Sequence, residues 1–376
     1  MRDALVYWRE VPIDVENGVF KYIDENWDGE VMVVSFSQMD ESRKHIGWET
    51  SYKRIKQLYI NKNDNIRQSI INIIKNSVGA IHLLCGTRGY MRIILEELKK
   101  WENSPKVAVI AERPTKYINA NPLERFKGCI RTLYYKHDYS QFNQFVSAYF
   151  AMGLSGVAAY DSVGWSKDIL FNYMYCPLLY SSESKETNST PKILYLGRFE
   201  KKNKGLDLLM DVFDDIDDNF NYQLDLVGGY GKDSECVINW VSKKKNVKFI
   251  GKWDPKNICD NISKYDVCIV PSHYDGWNLM PNQAICSSIG TIITNNCGSD
   301  ELIRFSGAGM VVEDKKDSLC NAVKYVLEHK EVLDEWKSKA KEYRDKISWT
   351  TVGKYFMDVL DYVFYESKRK PVCPWI

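Results

Sequence analysis

Two short stretches of the chain bring together residue types suited to holding a phosphate and a sugar. In the first, Leu196-Gly197-Arg198-Phe199-Glu200-Lys201-Lys202-Asn203-Lys204-Gly205, the cations Arg198 and Lys204 lie between an apolar run and the start of a periodic one. The apolar run reads as a buried strand and the periodic one as a helix. Cations beside a helix start suit a dianion, because dipole and charge add there. The second stretch, Pro271-Ser272-His273-Tyr274-Asp275-Gly276-Trp277-Asn278-Leu279-Met280-Pro281-Asn282-Gln283-Ala284, follows the apolar run Val267–Val270. Pro281 suits the first turn of a helix. The N–H groups of Asn278, Leu279 and Met280 are then expected to face an anion. Asp275 stands before that turn, at the carboxyl end of a strand, where a carboxylate can accept sugar hydroxyls. Gln283 falls inside the helix. The plainer readings are a solvated basic loop and an ordinary strand–loop–helix connection.

The elements that must carry these stretches can be read around them. In the second half, strands are expected at Lys192–Leu196, Gln223–Val227, Val247–Ile250, Val267–Val270, Thr291–Thr294 and Gly309–Val312, with helices at Gly205–Ile216, Ser234–Lys244, Pro255–Lys264 and Met280–Ser288. This alternation implies a doubly wound parallel sheet, which binds ligands at the carboxyl ends of its strands. Two long helices, Ser318–Lys346 and Trp349–Arg369, should close the chain. In the first half, strands at Ala4–Tyr7, Val31–Ser35, Gln57–Ile60, Ala80–Cys85 and Val107–Ala111 alternate with helices at Asn65–Lys75 and Tyr90–Trp101. The polar stretch from Cys176 to Pro191 has no periodicity and reads as a linker or a loop beside it.

The chain has 376 residues, which favours two domains over a single core. Its 51 Lys and Arg nearly cancel its 50 Asp and Glu, which argues against a nucleic-acid binder. Ten cysteines form no Cys-x-x-Cys pair, and several, including Cys129, Cys268 and Cys286, lie in apolar stretches. They read as buried free thiols in a reducing compartment. The five histidines show no metal-ligand spacing. Neither a signal-peptide apolar region nor an apolar run long enough to span a membrane is present, so a cytoplasmic location is expected.

The motifs LGRFEKKNKGLDLL, VGGYG, VKFIGKW, PSHYDGWNLMPNQA and NNCGSDELI stand in this order between residues 192 and 365. Together they resemble the retaining GT-B glycosyltransferases of family 4. The pattern Asp275-Gly276-Trp277, with Asn282 five residues on, is most similar to bacterial members that build surface polysaccharides. The resemblance implies two Rossmann-like, doubly wound α/β domains facing across a cleft. They would span 1–175 and 190–350, with a last helix at about 352–376 crossing back to the first. It implies transfer of a hexose from a nucleotide sugar (UDP- or GDP-linked) to a glycan or lipid-linked acceptor, with retention and with no bound metal or cofactor. Arg198 and Lys204 match the pair that neutralises the donor diphosphate. Asp275 matches the first acid of the family's Glu-x7-Glu motif, which holds donor-sugar hydroxyls, and is one carbon shorter than the usual Glu. Gln283 stands where the family usually places the Glu that binds the ribose. Glu301 matches a recurring acid after the next strand. A non-catalytic GT-B partner subunit, or a nucleotide-sugar epimerase of the same fold, are the alternatives.

The first half offers further candidates. Asn17-Gly18 reads as a flexible turn whose backbone could approach a phosphate. By the same resemblance, Glu112, after the strand Val107–Ala111, is a candidate contact to the donor sugar near the reacting carbon. The turn Gly86-Thr87-Arg88-Gly89 is a candidate acceptor contact. Within Pro122–Lys136, Leu123, Phe126, Ile130, Leu133 and Tyr134 recur at helical spacing beside Arg125, Lys127, Arg131 and Lys136. A basic amphipathic helix of this kind can rest on anionic lipid, here the inner face of a membrane. A core-facing helix with a solvated basic side is the other reading.

Overall fold

A computed structural model describes residues 2–12, 15–38, 52–61, 64–101, 105–113, 122–183, 187–216, 220–229, 231–365, 367 and 369–376, without the side chains of 122–125. The chain divides into two compact units: residues 1–178 with 349–374, and residues 179–348 with 375–376.

The first unit holds seven parallel strands in the order β3-β2-β1-β4-β5-β6-β7. They are β1 (Leu5–Arg9), β2 (Val31–Ser35), β3 (Lys56–Tyr59), β4 (Ile81–Cys85), β5 (Lys106–Ala111), β6 (Ala148–Met152) and β7 (Leu170–Tyr173). Helices α1 (Asn17–Asn26), α2 (Ile66–Asn76), α3 (Tyr90–Leu98), α4 (Pro122–Phe142) and α5 (Gly153–Asp161) connect them. Strands β1 and β6 are buried along their length, and apart from Arg9 their side chains are apolar on both faces. The expected turn at Asn17-Gly18 is instead the first turn of α1. A Cβ at Gly18 would come within 2.8 Å of both the Cys176 carbonyl oxygen and Trp349 Cβ.

The second unit holds six parallel strands in the order β10-β9-β8-β11-β12-β13. They are β8 (Lys192–Gly197), β9 (Gln223–Gly228), β10 (Val247–Gly251), β11 (Val267–Val270), β12 (Gly290–Thr294) and β13 (Gly309–Val312). The one-turn helix α6 (Lys201–Lys204) precedes α7 (Leu206–Asp215), and α8 (Ser234–Val241), α9 (Ile258–Ile262), α10 (Met280–Cys286) and α11 (Asp300–Ser306) follow. The expected helix from Pro255 begins as a 3-10 turn, Pro255–Asn257, before α9.

The helix expected over Ser318–Lys346 is two, α12 (Lys316–Glu328) and α13 (Glu331–Tyr343), parted at His329. His329 leaves helical backbone angles. The break lets Val323, Val326 and Leu327 of one helix and Leu333 and Trp336 of the other join the same core. The last helix, α14 (Trp349–Phe364), ends five residues before the expected Arg369 and belongs to the first unit. There it crosses α1 closely: a Cβ at Gly353 would lie 2.4 Å from Tyr22 Cβ.

Candidate functional site

In the second unit the strand order reverses between β8 and β11. In an open parallel sheet the crevice beyond the carboxyl ends of the two strands at such a reversal is where ligands bind. The two stretches singled out above follow those two strands. Their charged groups meet: Lys204 Nζ lies 2.5 Å from Asp275 Oδ2, with the two side chains 20% and 12% exposed.

Backbone packing holds the stretches together. Gly205 adopts a left-handed φ of +65°, and a Cβ there would stand 1.8 Å from the Pro271 carbonyl oxygen. Only glycine permits both the angle and the approach. The Tyr274 N–H donates to the Asn203 carbonyl at 3.2 Å. Asp275 is fixed from its other side, since its N–H donates to the Asn296 carbonyl (3.3 Å) and its own carbonyl accepts from the Gly298 N–H (3.0 Å).

Around Asp275 the expected arrangement changes in one respect. The Asn278 side chain donates to Asp275 Oδ2 (3.0 Å), and its carbonyl oxygen accepts the Met280 N–H (2.9 Å). The Met280 N–H is therefore already engaged rather than turned to an anion. Pro281 lies at the start of α10, as its ring favours, and the Trp277 indole N–H donates to Asn282 (3.0 Å). Leu279 precedes α10 directly. Gln283 is half-buried in the first turn, and its backbone N–H donates to the Leu279 carbonyl.

Arg198 does not share the Lys204 pair. Its side chain is 70% exposed, 3.9 Å from Glu200, while its carbonyl accepts the Tyr195 hydroxyl at 2.8 Å. Glu301 is buried and accepts the Trp375 indole N–H at 3.1 Å, so this carboxylate anchors the end of the chain within the second unit.

Sequence reasoning passed over His273. Its Nδ1 lies 2.6 Å from Asp314 Oδ1, and its Nε2 lies 3.0 Å from Asp207 Oδ1. These two bonds, against the opposing effect of burial, push its pKa up to about 10. The signal available was Asp207 at the start of a helix three residues after Lys204. Asp314, beyond β13, gave none.

The remaining candidates belong to the first unit. The Gly18 N–H donates to the Cys176 carbonyl at 3.1 Å and is not turned to a phosphate. Glu112 is exposed. Its carboxylate accepts the Tyr175 hydroxyl (2.8 Å), and its carbonyl accepts the Tyr160 hydroxyl (2.7 Å). The turn at Gly86–Gly89 is fastened to α4: Thr87 donates to Asp138 at 2.8 Å, and the Arg88 guanidinium lies over the rings of Tyr134 and Tyr135. On α4 itself Phe126, Ile130 and Leu133 are each more than half exposed, so this face of the helix does not serve a core. Among the described residues no helix is long and apolar enough to cross a membrane.

The strand reversal and the charged pair fall within residues 180–343, which match the family described as glycosyl transferases group 1. The two parallel-sheet units are those of the GT-B fold. Sucrose-phosphate synthase from Thermosynechococcus elongatus superposes with a TM-score of 0.72 at 14% identity, over 97% of this chain and 100% of that one. The lipopolysaccharide outer core galactosyltransferase WaaB, in its apo form, gives 0.68 at 13% identity, over 96% and 99%. Anabaena HepE in complex with UDP-glucose gives 0.71 at 10% identity, over 96% and 100%. An uncharacterized glycosyltransferase of Methanocaldococcus jannaschii is 25% identical over 159 residues, 42% of this chain and 44% of that protein. An uncharacterized 41.2 kDa protein in the cps region of Klebsiella pneumoniae is 28% identical over 131 residues, 35% of each. The chain thus spans less than half the length of the curated relatives it matches.

Proposed function

We propose that this protein transfers a hexose from a nucleotide sugar, UDP- or GDP-linked, to a glycan or lipid-linked acceptor with retention of configuration, in the building of a surface polysaccharide. The observation that carries this reading is the Lys204–Asp275 pair beyond the strand reversal of a group 1 glycosyl transferase domain. Lys204 brings three N–H donors, so it can keep Asp275 and still reach phosphoryl oxygens. Arg198, extended into solvent, is placed to swing onto the same diphosphate as charge builds on the leaving group. Asp275 then holds donor-sugar hydroxyls, Asn278 and the backbone at Leu279 shape the phosphate side, and Gln283 faces the ribose. A UDP-glucose complex of a structure with the same fold supports a nucleotide-sugar donor. Lys204→Ala should lower release of nucleoside diphosphate from the donor at least about a hundredfold while the protein stays folded. Wild-type turnover in that variant would sink the assignment.

We also propose that α4 rests on the inner face of an anionic membrane through Phe126, Ile130 and Leu133, flanked by Lys127, Arg131 and Lys136. Co-sedimentation should be stronger with phosphatidylglycerol vesicles than with phosphatidylcholine ones and should drop for Leu133→Glu. Equal binding to both lipids, or none to either, refutes it.

A further inference from the structure

One imidazole joins the segment that bears Lys204 to the segment that bears Asp275. Asp207 lies in the first turn of α7, three residues beyond Lys204, and its carboxylate meets His273 Nε2. Asp314 meets His273 Nδ1, and its second oxygen accepts the Asn296 side-chain amide at 3.1 Å. Asn296 is the residue whose carbonyl receives the Asp275 N–H. A neutral imidazole carries a single N–H and would turn a lone pair toward one of the two carboxylates. Two carboxylate partners therefore call for the doubly protonated ring. The ring is only partly exposed, at 29%, and Asp314 is nearly sealed, at 5%, so water screens this contact weakly. The neighbouring charges on these elements pair elsewhere: Lys315 with Glu313, and Lys316 with Asp215.

We infer that His273, bonded to Asp207 on one side and Asp314 on the other, is a positioning residue that sets Lys204 and Asp275 relative to each other. The inference rests on the reading of that pair as the donor site. His273 acts on the pair through four segments: the loop after β11, the start of α7, the loop after β12 and the residues after β13. The Pro271 carbonyl against Gly205 and the Tyr274 N–H on the Asn203 carbonyl join two of these segments through the backbone. The imidazole adds a side-chain tie from the loop after β11 to the start of α7 and to the residues after β13, because its two nitrogens are rigidly oriented and each is bonded to a different segment.

Two measurements on the full chain test this. In 1H–15N spectra of the histidine rings, one of the five should keep both nitrogens protonated at pH 8, and that signal should vanish in His273→Gln. A neutral His273 ring at pH 8 overturns the clamp. UDP and GDP are then titrated calorimetrically into the wild type, His273→Gln, Asp275→Asn and the double variant. His273→Gln should weaken the binding of whichever diphosphate is taken by about tenfold. In the double variant the two losses should fall clearly short of adding. Additive losses, or no loss in His273→Gln, overturn the positioning role and leave the donor site standing. Binding of neither diphosphate by the wild type, with the doubly protonated ring present, overturns the donor site and this role with it. Asp207→Asn, altered at the more exposed partner, is read in the same way should His273→Gln fail to fold.

Discussion

The two units build their sheets with the same reversal and place an ion pair beyond it, yet the two pairs live in opposite surroundings. In the first unit the reversal lies between β1 and β4, and Arg9, the last residue of β1, pairs with Glu16 at 3.1 Å. Those side chains are 5% and 0% exposed, and Glu16 also accepts the Tyr7 hydroxyl. In the second unit Lys204 and Asp275 remain within reach of water. Removing one partner of a sealed pair leaves an uncompensated charge in a poor solvent. A pair at an accessible strand end can exchange its partner for a ligand, because water and ligand can both reach it. Position in the topology marks where a site can form, and accessibility decides whether the charges there serve the fold or a ligand.

The largest expected effect follows directly. Glu16→Ala should destabilise the first unit by about 3–5 kcal/mol, since the buried Arg9 loses its carboxylate counter-charge. Lys204→Ala should cost less, about 1–2 kcal/mol, because this pair is partly exposed and water can reach Asp275 once the lysine is gone. Urea denaturation of the two variants measures both. A smaller loss at Glu16 than at Lys204 would break the comparison.

Two histidines sharpen it through pH. His82 on β4 is buried, accepts the Trp8 indole N–H at Nδ1 (3.1 Å), and has its pKa lowered to about 4 by burial. Its folded pKa lies below the ordinary imidazole value of about 6.5. The stability it contributes is therefore complete above pH 6.5 and is lost as the pH falls toward 4, a loss of about 2–3 kcal/mol. His273 has the opposite shift. Its contribution is complete below 6.5 and is lost as the pH rises through about 10. The wild type should thus lose its advantage over His82→Gln in acid, and its advantage over His273→Gln in alkali, the second change being the smaller because the ring is partly solvated. Denaturation midpoints from pH 4 to 10 record both limbs. Two limbs of the same sign would contradict the assignment of the rings.

What the sequence disclosed depended on how far apart the cooperating residues lie. Val267–Val270 was readable as a strand because a strand buried on both faces is a continuous apolar run ended by small or polar residues, and Gly309–Val312, though only partly buried, is a short apolar run of the same kind. Ala148–Met152 and Leu170–Tyr173 were not, because aromatic residues crowd every face from Phe142 to Tyr175 and leave no contrast in periodicity. The break at His329 was hidden because no glycine or proline marks it. Arg198, Lys204 and Asp275 announced themselves by type at strand ends. Their arrangement did not, since Lys204 meets Asp275 across 71 residues and His273 meets Asp207 across 66 and Asp314 across 41. Only the strand order brings these residues together.

The smallest expected effect falls at Gln283, on the accessible side of the comparison. It sits in the first turn of α10, half-buried, on the same connection as Asp275. If the second unit uses its accessible polar groups for a ligand, a change of charge here should alter binding and leave stability nearly untouched. A glutamine carbonyl can accept one ribose hydroxyl, whereas a carboxylate can take two in charge-assisted bonds. Gln283→Glu should therefore tighten nucleoside diphosphate binding by about fivefold, or about 1 kcal/mol. The opposing term is repulsion between the new carboxylate and the diphosphate, which salt screens when the groups are exposed. On the proposed donor-site reading attraction at the ribose prevails, because Lys204 and Arg198 would then stand on the phosphate side and offset the added charge. Calorimetric titration of both proteins at low and moderate salt separates the two terms. Weaker binding that recovers with salt would show that the side chain faces the phosphates rather than the ribose. Unchanged affinity at both salts would remove Gln283 from the donor site, leaving Lys204 and Asp275 to define it alone.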